Sequence, residues 1–249
     1  MSGKTYLITG ANRGLGHGLF ALYAARPNNT IIAAVRSVSA AQGLLDVPRG
    51  ANTRVVLVQI DSSSRTDAYT AIDAAKAQGV TSIDVVISAA GIMKLNTLEA
   101  VPLEEFEEVL LVNGISVLLL YKAALPLLRA SAVDGGPRFA FVSAAGGSIS
   151  AMDQFDFPIG AHGATKAMAN YLVRKMGCEN EWLTTVMVNP GLVQTDMGNL
   201  GAREFMGKEL ALRTVEESCA DMAHIIDNAT KAEHSGKFFD ETIDRIFPW

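Results

Sequence analysis

Short apolar runs alternate with amphipathic stretches along this chain. Runs of this kind cover Lys4–Thr9, Thr30–Val35, Arg54–Ile60, Ile83–Ser88, Arg138–Val142, Trp182–Asn189 and Gly236–Phe239. Because they are short and almost continuously apolar, they predict strands that are covered on both faces. The intervening spacing predicts helices, among them Leu15–Ala25, Thr66–Gln78, Leu103–Leu128 and one from His162 to about Lys175. The pattern therefore predicts an α/β protein.

The first apolar run leads into a glycine-rich turn, Gly10-Ala-Asn-Arg-Gly14-Leu-Gly16. Glycines at such a turn let the backbone bend sharply, approach a ligand closely and pack the next helix on the strand. Free N–H groups at the start of that helix favour a pyrophosphate. We therefore expect a doubly wound (Rossmann-type) parallel seven-stranded sheet with helices on both faces, built as a single dinucleotide-binding domain over residues 1–249.

Composition and charge restrict the expected partners. The 249 residues are 49% apolar and carry a formal net charge of −5, without a basic stripe that would favour nucleic acid or an anionic membrane. The first strand follows almost at once, and Lys122 soon interrupts the apolar run 115–120, so we expect a soluble, cytoplasmic protein. Cys178 and Cys219 fit no metal-ligand spacing and no disulfide framework. No metal is expected.

Several motifs resemble those of the short-chain dehydrogenase/reductase family. Thr9 to Gly16 matches the family's Thr-Gly-x-x-x-Gly-x-Gly, and further matches are Asn113-Gly-Ile-Ser, Val142-Ser-Ala-Ala-Gly, the residues around Lys166, and Pro190-Gly-Leu-Val-Gln-Thr195. The resemblance covers essentially the whole chain. Trp182-Leu-Thr, Gln194-Thr-Asp-Met-Gly and the terminal Pro-Trp look most similar to fungal ketoreductases of aromatic polyketide tailoring, of the norsolorinic acid ketoreductase kind. The resemblance implies a nicotinamide-dependent oxidoreductase.

Two arginines indicate which nicotinamide cofactor is expected. Arg36 ends the second strand 20 residues after Gly16, where this fold places an acid for NAD and an arginine for NADP. Arg13 completes a pair similar to the basic pair of the family's NADP-preferring members, so NADP(H) is expected. The resemblance assigns cofactor contacts to Gly10, Asn12, Arg13, Gly14, Leu15, Gly16, Arg36, Asp61, Ser62, Ala90, Gly91, Lys166, Pro190, Gly191, Val193 and Thr195. The family's Asn-Asn-Ala-Gly turn is Ser88-Ala-Ala-Gly91 here, which removes a bracing amide.

The resemblance also implies catalytic roles for Asn113, Ser143 and Lys166, with Ser148 as the alternative serine. In the family, a tyrosine gives its proton to the substrate carbonyl while the cofactor gives hydride, a lysine lowers the pKa of the tyrosine, and a serine steadies the oxygen. His162 stands where that tyrosine would be, four residues before Lys166 and on the same helix face. Beside an ammonium we expect a neutral imidazole that can hydrogen-bond through N–H but is a weak proton source.

Two further segments are expected to shape a substrate site. The loop 146–160 carries Met152, Phe155, Phe157 and Pro158, and a long loop with this composition at the ligand edge predicts an apolar, aromatic wall and a bulky substrate. Residues 196–213, rich in Gly and Met, predict a lid. Thr214-Val-Glu-Glu217 reads as a capping box that starts another helix.

Three functions stay open at this point. The first is an NADPH-dependent reductase of a bulky aromatic or polyketide-like ketone, with His162 in place of tyrosine. The second keeps the fold but performs a non-redox step such as cyclisation, isomerisation or dehydration, with His162 as base or hydrogen-bond donor. The third is a non-catalytic cofactor-binding protein. The family's usual interface, on the helices of Asn113 and His162, implies a homodimer or homotetramer.

Overall fold

A seven-stranded parallel sheet forms the centre of the protein. The computed structural model describes residues 3–154, 157–240 and 245–249. The strands are β1 (Thr5–Thr9), β2 (Thr30–Val35), β3 (Arg54–Gln59), β4 (Val85–Ser88), β5 (Arg138–Val142), β6 (Thr184–Val188) and β7 (Lys237–Phe239). Their order across the sheet is β3-β2-β1-β4-β5-β6-β7, and every strand pairing is parallel. The direction of winding changes between β1 and β4, where doubly wound sheets bind ligands at the carboxyl ends of their strands.

Helices cover both faces of this sheet. They are α1 (Gly14–Ala24), α2 (Asp67–Ala77), α3 (Leu103–Leu110), α4 (Ser116–Arg129), α5 (Gly160–Glu179), α6 (Asp196–Met206), α7 (Val215–Asn228) and α8 (Lys231–His234). Buried residues of α1 and α7 form the core on one face, and those of α2, α4 and α5 form the core on the other. The predicted fold class is therefore confirmed.

Alternation along β5 shows how the strands divide their side chains between the two cores. Phe139 and Phe141 pack toward α4 and α5, whereas Ala140 and Val142 pack toward α1 and α7. Both sets are almost fully buried. The strand is therefore apolar on both faces, as its continuous apolar sequence indicates.

The segment predicted as one helix over Leu103–Leu128 is interrupted. A π-helical turn, Leu111–Ile115, separates α3 from α4 and carries Asn113. Such turns are frequent at functional sites because they re-aim a side chain inside a helix. By length and composition alone Leu103–Arg129 could cross a membrane, but Val117, Leu120 and Leu128 pack in the core between helix and sheet.

Some element boundaries differ from the predictions. Helix α5 begins at Gly160, before His162, and continues to Glu179. A 3₁₀ segment at Ser39–Asp46 had no sequence prediction. The predicted lid contains a regular helix, α6, whose C-terminus is closed by a left-handed glycine. The capping box at the start of α7 is confirmed: Thr214 accepts from the Glu217 amide, and the Glu217 carboxylate accepts from the Thr214 amide.

Candidate active site

The glycine turn connects the carboxyl end of β1 to the start of α1. Gly10 and Gly14 have φ values of 68° and 55°, in the left-handed region that favours glycine. A Cβ at Gly16 would lie 2.2 Å from the Gly10 carbonyl oxygen, so any side chain there opens the turn. The amides at the start of α1 therefore lie at the sheet edge, where a pyrophosphate is favoured.

Thr195 lies against this turn from the opposite side. A Cβ at Gly14 would be 3.3 Å from Thr195 Cγ2, and the Thr195 hydroxyl accepts a hydrogen bond from the Gly198 amide to cap α6. The preceding Pro190-Gly191 turn is held because the Pro190 carbonyl accepts from Ser218 Oγ at 2.9 Å. The structure thus brings the predicted pyrophosphate residues together.

The predicted arginine pair is exposed at the same edge. Arg13 Nη1 lies 3.6 Å from Asp196 Oδ2, at the start of α6. Arg36 is close enough to Asp61 for its charge to act on that carboxylate: two hydrogen bonds from Ser63, and then the charge of Arg36, hold the pKa of Asp61 below its usual value. Both arginines are therefore available to a phosphate that approaches the ends of β2 and β3.

Two of the predicted cofactor contacts, Asp61 and Ser62, line a cavity at the carboxyl ends of β1, β3 and β4. Thr9 and Ser88 line the same cavity. The turn that lacks the family's asparagine is braced from β1 instead, because Thr9 Oγ1 accepts from the amides of Ala89 and Ala90 at 3.0 and 3.1 Å. The sequence reasoning missed this brace.

Asn113 locks the backbone that follows β4. Its Oδ1 accepts from the Ile92 amide and its Nδ2 donates to the Ile92 carbonyl, both at 2.9 Å. Nδ2 also lies 3.3 Å from Thr165 Oγ1 on α5. The amide is completely buried, and these partners satisfy the polar group that the apolar sequence context made costly.

His162 is bound to the same backbone carbonyl. Its Nδ1 lies 3.1 Å from the Ile92 oxygen; because a carbonyl oxygen only accepts, Nδ1 carries the proton and a neutral ring has its lone pair on Nε2. Burial first, and then the charge of Lys166, lower the pKa of His162 to about 4, against the hydrogen bond to Ile92. The N–H expected to serve the substrate is therefore directed at the protein.

Lys166 lies one helical turn further along α5. Its Nζ donates to the Val142 carbonyl at 2.8 Å and lies 4.7 Å from the centre of the Phe141 ring. Burial lowers the pKa of Lys166 to about 8. A Cβ at Gly91 would lie 3.7 Å from Nζ and 3.3 Å from Asn113 Oδ1, so the missing side chain at Gly91 leaves a cradle beside the ammonium.

Ser143 is bound to a residue of α5. Its Oγ donates to Asn170 Oδ1 at 2.7 Å, and the serine is buried. Asn170 lies four residues beyond Lys166, one helical turn further along α5. The catalytic role of Ser143 stays a prediction. The alternative, Ser148, is also buried, and its Oγ accepts from the Ala151 amide at 3.1 Å.

Asn170 is a site-proximal residue that the sequence reasoning missed. The signal was present, because His162, Lys166 and Asn170 recur at intervals of four and therefore share one face of a helix. Among the residues that the structure describes, no group of acidic, histidine or cysteine side chains could hold a metal ion.

Aromatic and apolar side chains lie near the start of α5. The Phe157 ring stacks on Phe205 of α6, with ring centroids 4.3 Å apart and planes 16° from parallel. Leu98 packs against Gly160 at the start of α5, and Met152 is exposed on the loop. The loop and the lid therefore meet through aromatic rings; Phe155 lies outside the described residues.

Comparisons with known proteins agree with this architecture. Residues 4–204 match the family model described as short chain dehydrogenase. The norsolorinic acid ketoreductases of Dothistroma septosporum and Aspergillus parasiticus are 41% and 38% identical to this chain over 249 and 248 residues; the alignments cover 98% of this chain and 92% and 90% of those proteins. The NADPH-bound carbonyl reductase from chicken fatty liver is similar in structure, with a TM-score of 0.85 at 25% identity, over 100% of this chain and 95% of that one. The chain therefore belongs to the short-chain dehydrogenase/reductase family and is an oxidoreductase of the ketoreductase type.

Proposed function

We propose that this protein is an NADPH-dependent reductase of a bulky aromatic, polyketide-like ketone, with His162 at the position of the family's tyrosine. The observation that carries the proposal is the cofactor edge, by which we mean the predicted cofactor residues at the carboxyl ends of the strands. The glycine turn, Thr195, the exposed Arg13 and Arg36 and the cradle at Gly91 lie at the carboxyl ends of the strands. These residues fit a dinucleotide that bears a 2′-phosphate.

NADPH would supply the hydride when it is bound. Arg13 and Arg36 would hold its 2′-phosphate, and the amides of the glycine turn together with Thr195 would hold its pyrophosphate. Asp61 and Ser62 would contact the adenine, and Lys166 at the Gly91 cradle would contact the nicotinamide ribose. A chain that lacked the arginines or the lysine would fit this cofactor poorly.

Lys166 is the charged group that the described site offers to a developing oxyanion. His162 presents a lone pair at Nε2, and the hydroxyl proton of Ser143 is directed at Asn170. The ammonium of Lys166 donates one proton to Val142, which leaves two others. Negative charge on a reduced carbonyl oxygen is stabilised most by such a buried cation, because few water dipoles screen it there.

The proposed substrate class is supported by aromatic side chains near the start of α5 and by the names of two relatives. The stacked Phe157 and Phe205 present flat apolar surface to an aromatic ring. Two relatives bear the name norsolorinic acid ketoreductase, and this supports a substrate of related aromatic character. The proposal includes a cytoplasmic location and no nucleic-acid or membrane partner. It also includes a homodimer or homotetramer, since Leu118 and Tyr171 are exposed on α4 and α5.

The cofactor assignment is tested by titration calorimetry with NADP⁺ and NAD⁺. The unchanged protein should bind NADP⁺ more tightly, by about tenfold or more, because two guanidinium groups face the 2′-phosphate. Arg36→Asp should narrow or reverse that ratio. Equal dissociation constants for the two cofactors in the unchanged protein would show that the arginines do not recognise the phosphate.

A second candidate function is a non-redox proton transfer on a similar substrate. It is favoured by the Nδ1–Ile92 hydrogen bond, since a lone pair at Nε2 suits a base. His162→Tyr separates the two functions. If the protein is a reductase, NADPH oxidation with bulky aryl ketones should rise, because a phenol restores a proton donor; if His162 is a base, the native product should disappear. Binding of NADP(H) without any transformation would indicate a non-catalytic binding protein.

A further inference from the structure

The orientation of His162 is determined by groups on either side of it. Its Nδ1 donates to the Ile92 carbonyl, and Asn113 holds both the amide and the carbonyl of that residue. The carbonyl therefore cannot turn away to accept from another donor. A ring rotation that placed N–H toward the substrate would leave a partly buried carbonyl with one donor fewer, which is unfavourable.

The other ring nitrogen has no partner in the protein. Nε2 of His162 makes no hydrogen bond with the described residues. Among those residues, the side-chain polar atoms that are both fully enclosed and without a partner are Nη1 of Arg138, Nδ2 of Asn170 and the Oγ1 atoms of Thr184 and Thr185, and Nε2 of His162 is not one of them. Nε2 therefore keeps contact with solvent near the start of α5.

The hydroxyl protons of Thr165 and Ser143 are directed at the protein. Thr165 Oγ1 donates to the His162 carbonyl at 2.8 Å, and Ser143 Oγ donates to Asn170. A carbonyl oxygen placed at Nε2 would face a lone pair, whereas a hydroxyl placed there would complete a hydrogen bond. Nε2 is thus chemically suited to a substrate that brings its own donor.

We propose that His162 is a specificity-determining residue whose Nε2 accepts a hydrogen bond from a substrate hydroxyl near the reacting carbonyl, so that the site selects hydroxylated aryl ketones. This inference rests on the proposed function and adds a requirement to it. The O-methyl ether of such a ketone has no proton to donate, sets an oxygen lone pair against Nε2 and adds a methyl group beside a largely buried side chain. A site built around a substrate hydroxyl discriminates against analogues that lack it.

Matched ligand pairs test the inference through binding. The probes are 6-hydroxy-1-tetralone and 7-hydroxy-1-tetralone, each with its methyl ether, titrated calorimetrically into the NADP⁺-loaded protein so that no turnover occurs. In the unchanged protein at least one hydroxy ketone should bind about tenfold more tightly than its ether, the range of one neutral hydrogen bond plus a steric penalty. In His162→Phe the ratio should fall to about twofold or less.

Controls separate loss of recognition from loss of structure. In His162→Phe the Ile92 carbonyl keeps its bond from Asn113, so the variant should retain NADP⁺ affinity and its circular dichroism spectrum. His162→Tyr should also reduce the ratio, because a phenol donates to a hydroxyl or an ether oxygen alike. If His162→Phe folds poorly, the binding ratio of His162→Tyr alone decides the test.

The outcomes distinguish this inference from the proposed function. Ethers that bind as well as both hydroxy ketones, or a preference that persists in both variants, would overturn the role of Nε2 while leaving the reductase assignment intact. A clear hydroxyl preference in a protein that never oxidises NADPH with these ketones would overturn the reductase assignment and support the recognition. The two outcomes can be distinguished because ligand binding and NADPH turnover are measured separately.

Discussion

Acidification should destabilise this protein through His162. The pKa of this imidazole is about 4 in the folded chain against an ordinary 6.5, because burial and then the charge of Lys166 oppose protonation. Below pH 6.5 the unfolded chain binds a proton here that the folded chain refuses until about pH 4, so stability falls with falling pH across that window. The difference corresponds to about 3 kcal/mol.

The perturbation that isolates this effect is His162→Asn. An asparagine amide can still donate to the Ile92 carbonyl, as Nδ1 does, but it does not titrate. The expected result is that the free energy of unfolding of the unchanged protein falls by up to about 3 kcal/mol more than that of the variant between pH 7 and pH 4. The two should converge in slope above pH 7.

Urea unfolding followed by tryptophan fluorescence at several pH values measures this difference. His224→Asn, which removes an imidazole exposed on α7, is the matched control and should lose stability in parallel with the unchanged protein. If the unchanged protein and His162→Asn lose the same free energy between pH 7 and pH 4, the assignment of a buried, neutral His162 is wrong.

Three further substitutions, with Gly43→Ala as a control, test the cofactor edge and a helix cap. Gly16→Ala places a Cβ 2.2 Å from a backbone oxygen of the turn and should weaken NADP⁺ binding more than tenfold in calorimetry, whereas Gly43→Ala, where a Cβ meets nothing within 4 Å, should leave it unchanged. Asp196→Asn removes the carboxylate 3.6 Å from Arg13 and should tighten NADP⁺ binding up to about fivefold without affecting NAD⁺, the range of an exposed ion pair. Thr214→Ala removes the capping box of α7 and should cost about 1 kcal/mol in urea unfolding; no loss would contradict that cap.

The sequence alone determined the features that depend on local pattern. Strands such as β2 and β5 are readable because burial on both faces demands continuous apolar residues. The turn from Gly10 to Gly16 is readable because close backbone contacts leave no room for a Cβ. The position of His162 four residues before Lys166 also follows from the sequence, since helical spacing alone places both side chains on one face of α5.

Tertiary structure decided which group each polar side chain binds. The tautomer of His162 depends on a carbonyl 70 residues away, and the alignment of Ser143 depends on Asn170, 27 residues away. Asn113 is a local signal for an interrupted helix, but periodicity does not predict the π-helical turn, because the neighbours of Asn113 are as apolar as those of a regular helix. Periodicity records which faces are buried, but a hydrogen bond between distant segments depends on how the sheet and helices pack, and this decided that the proton of His162 points at the protein.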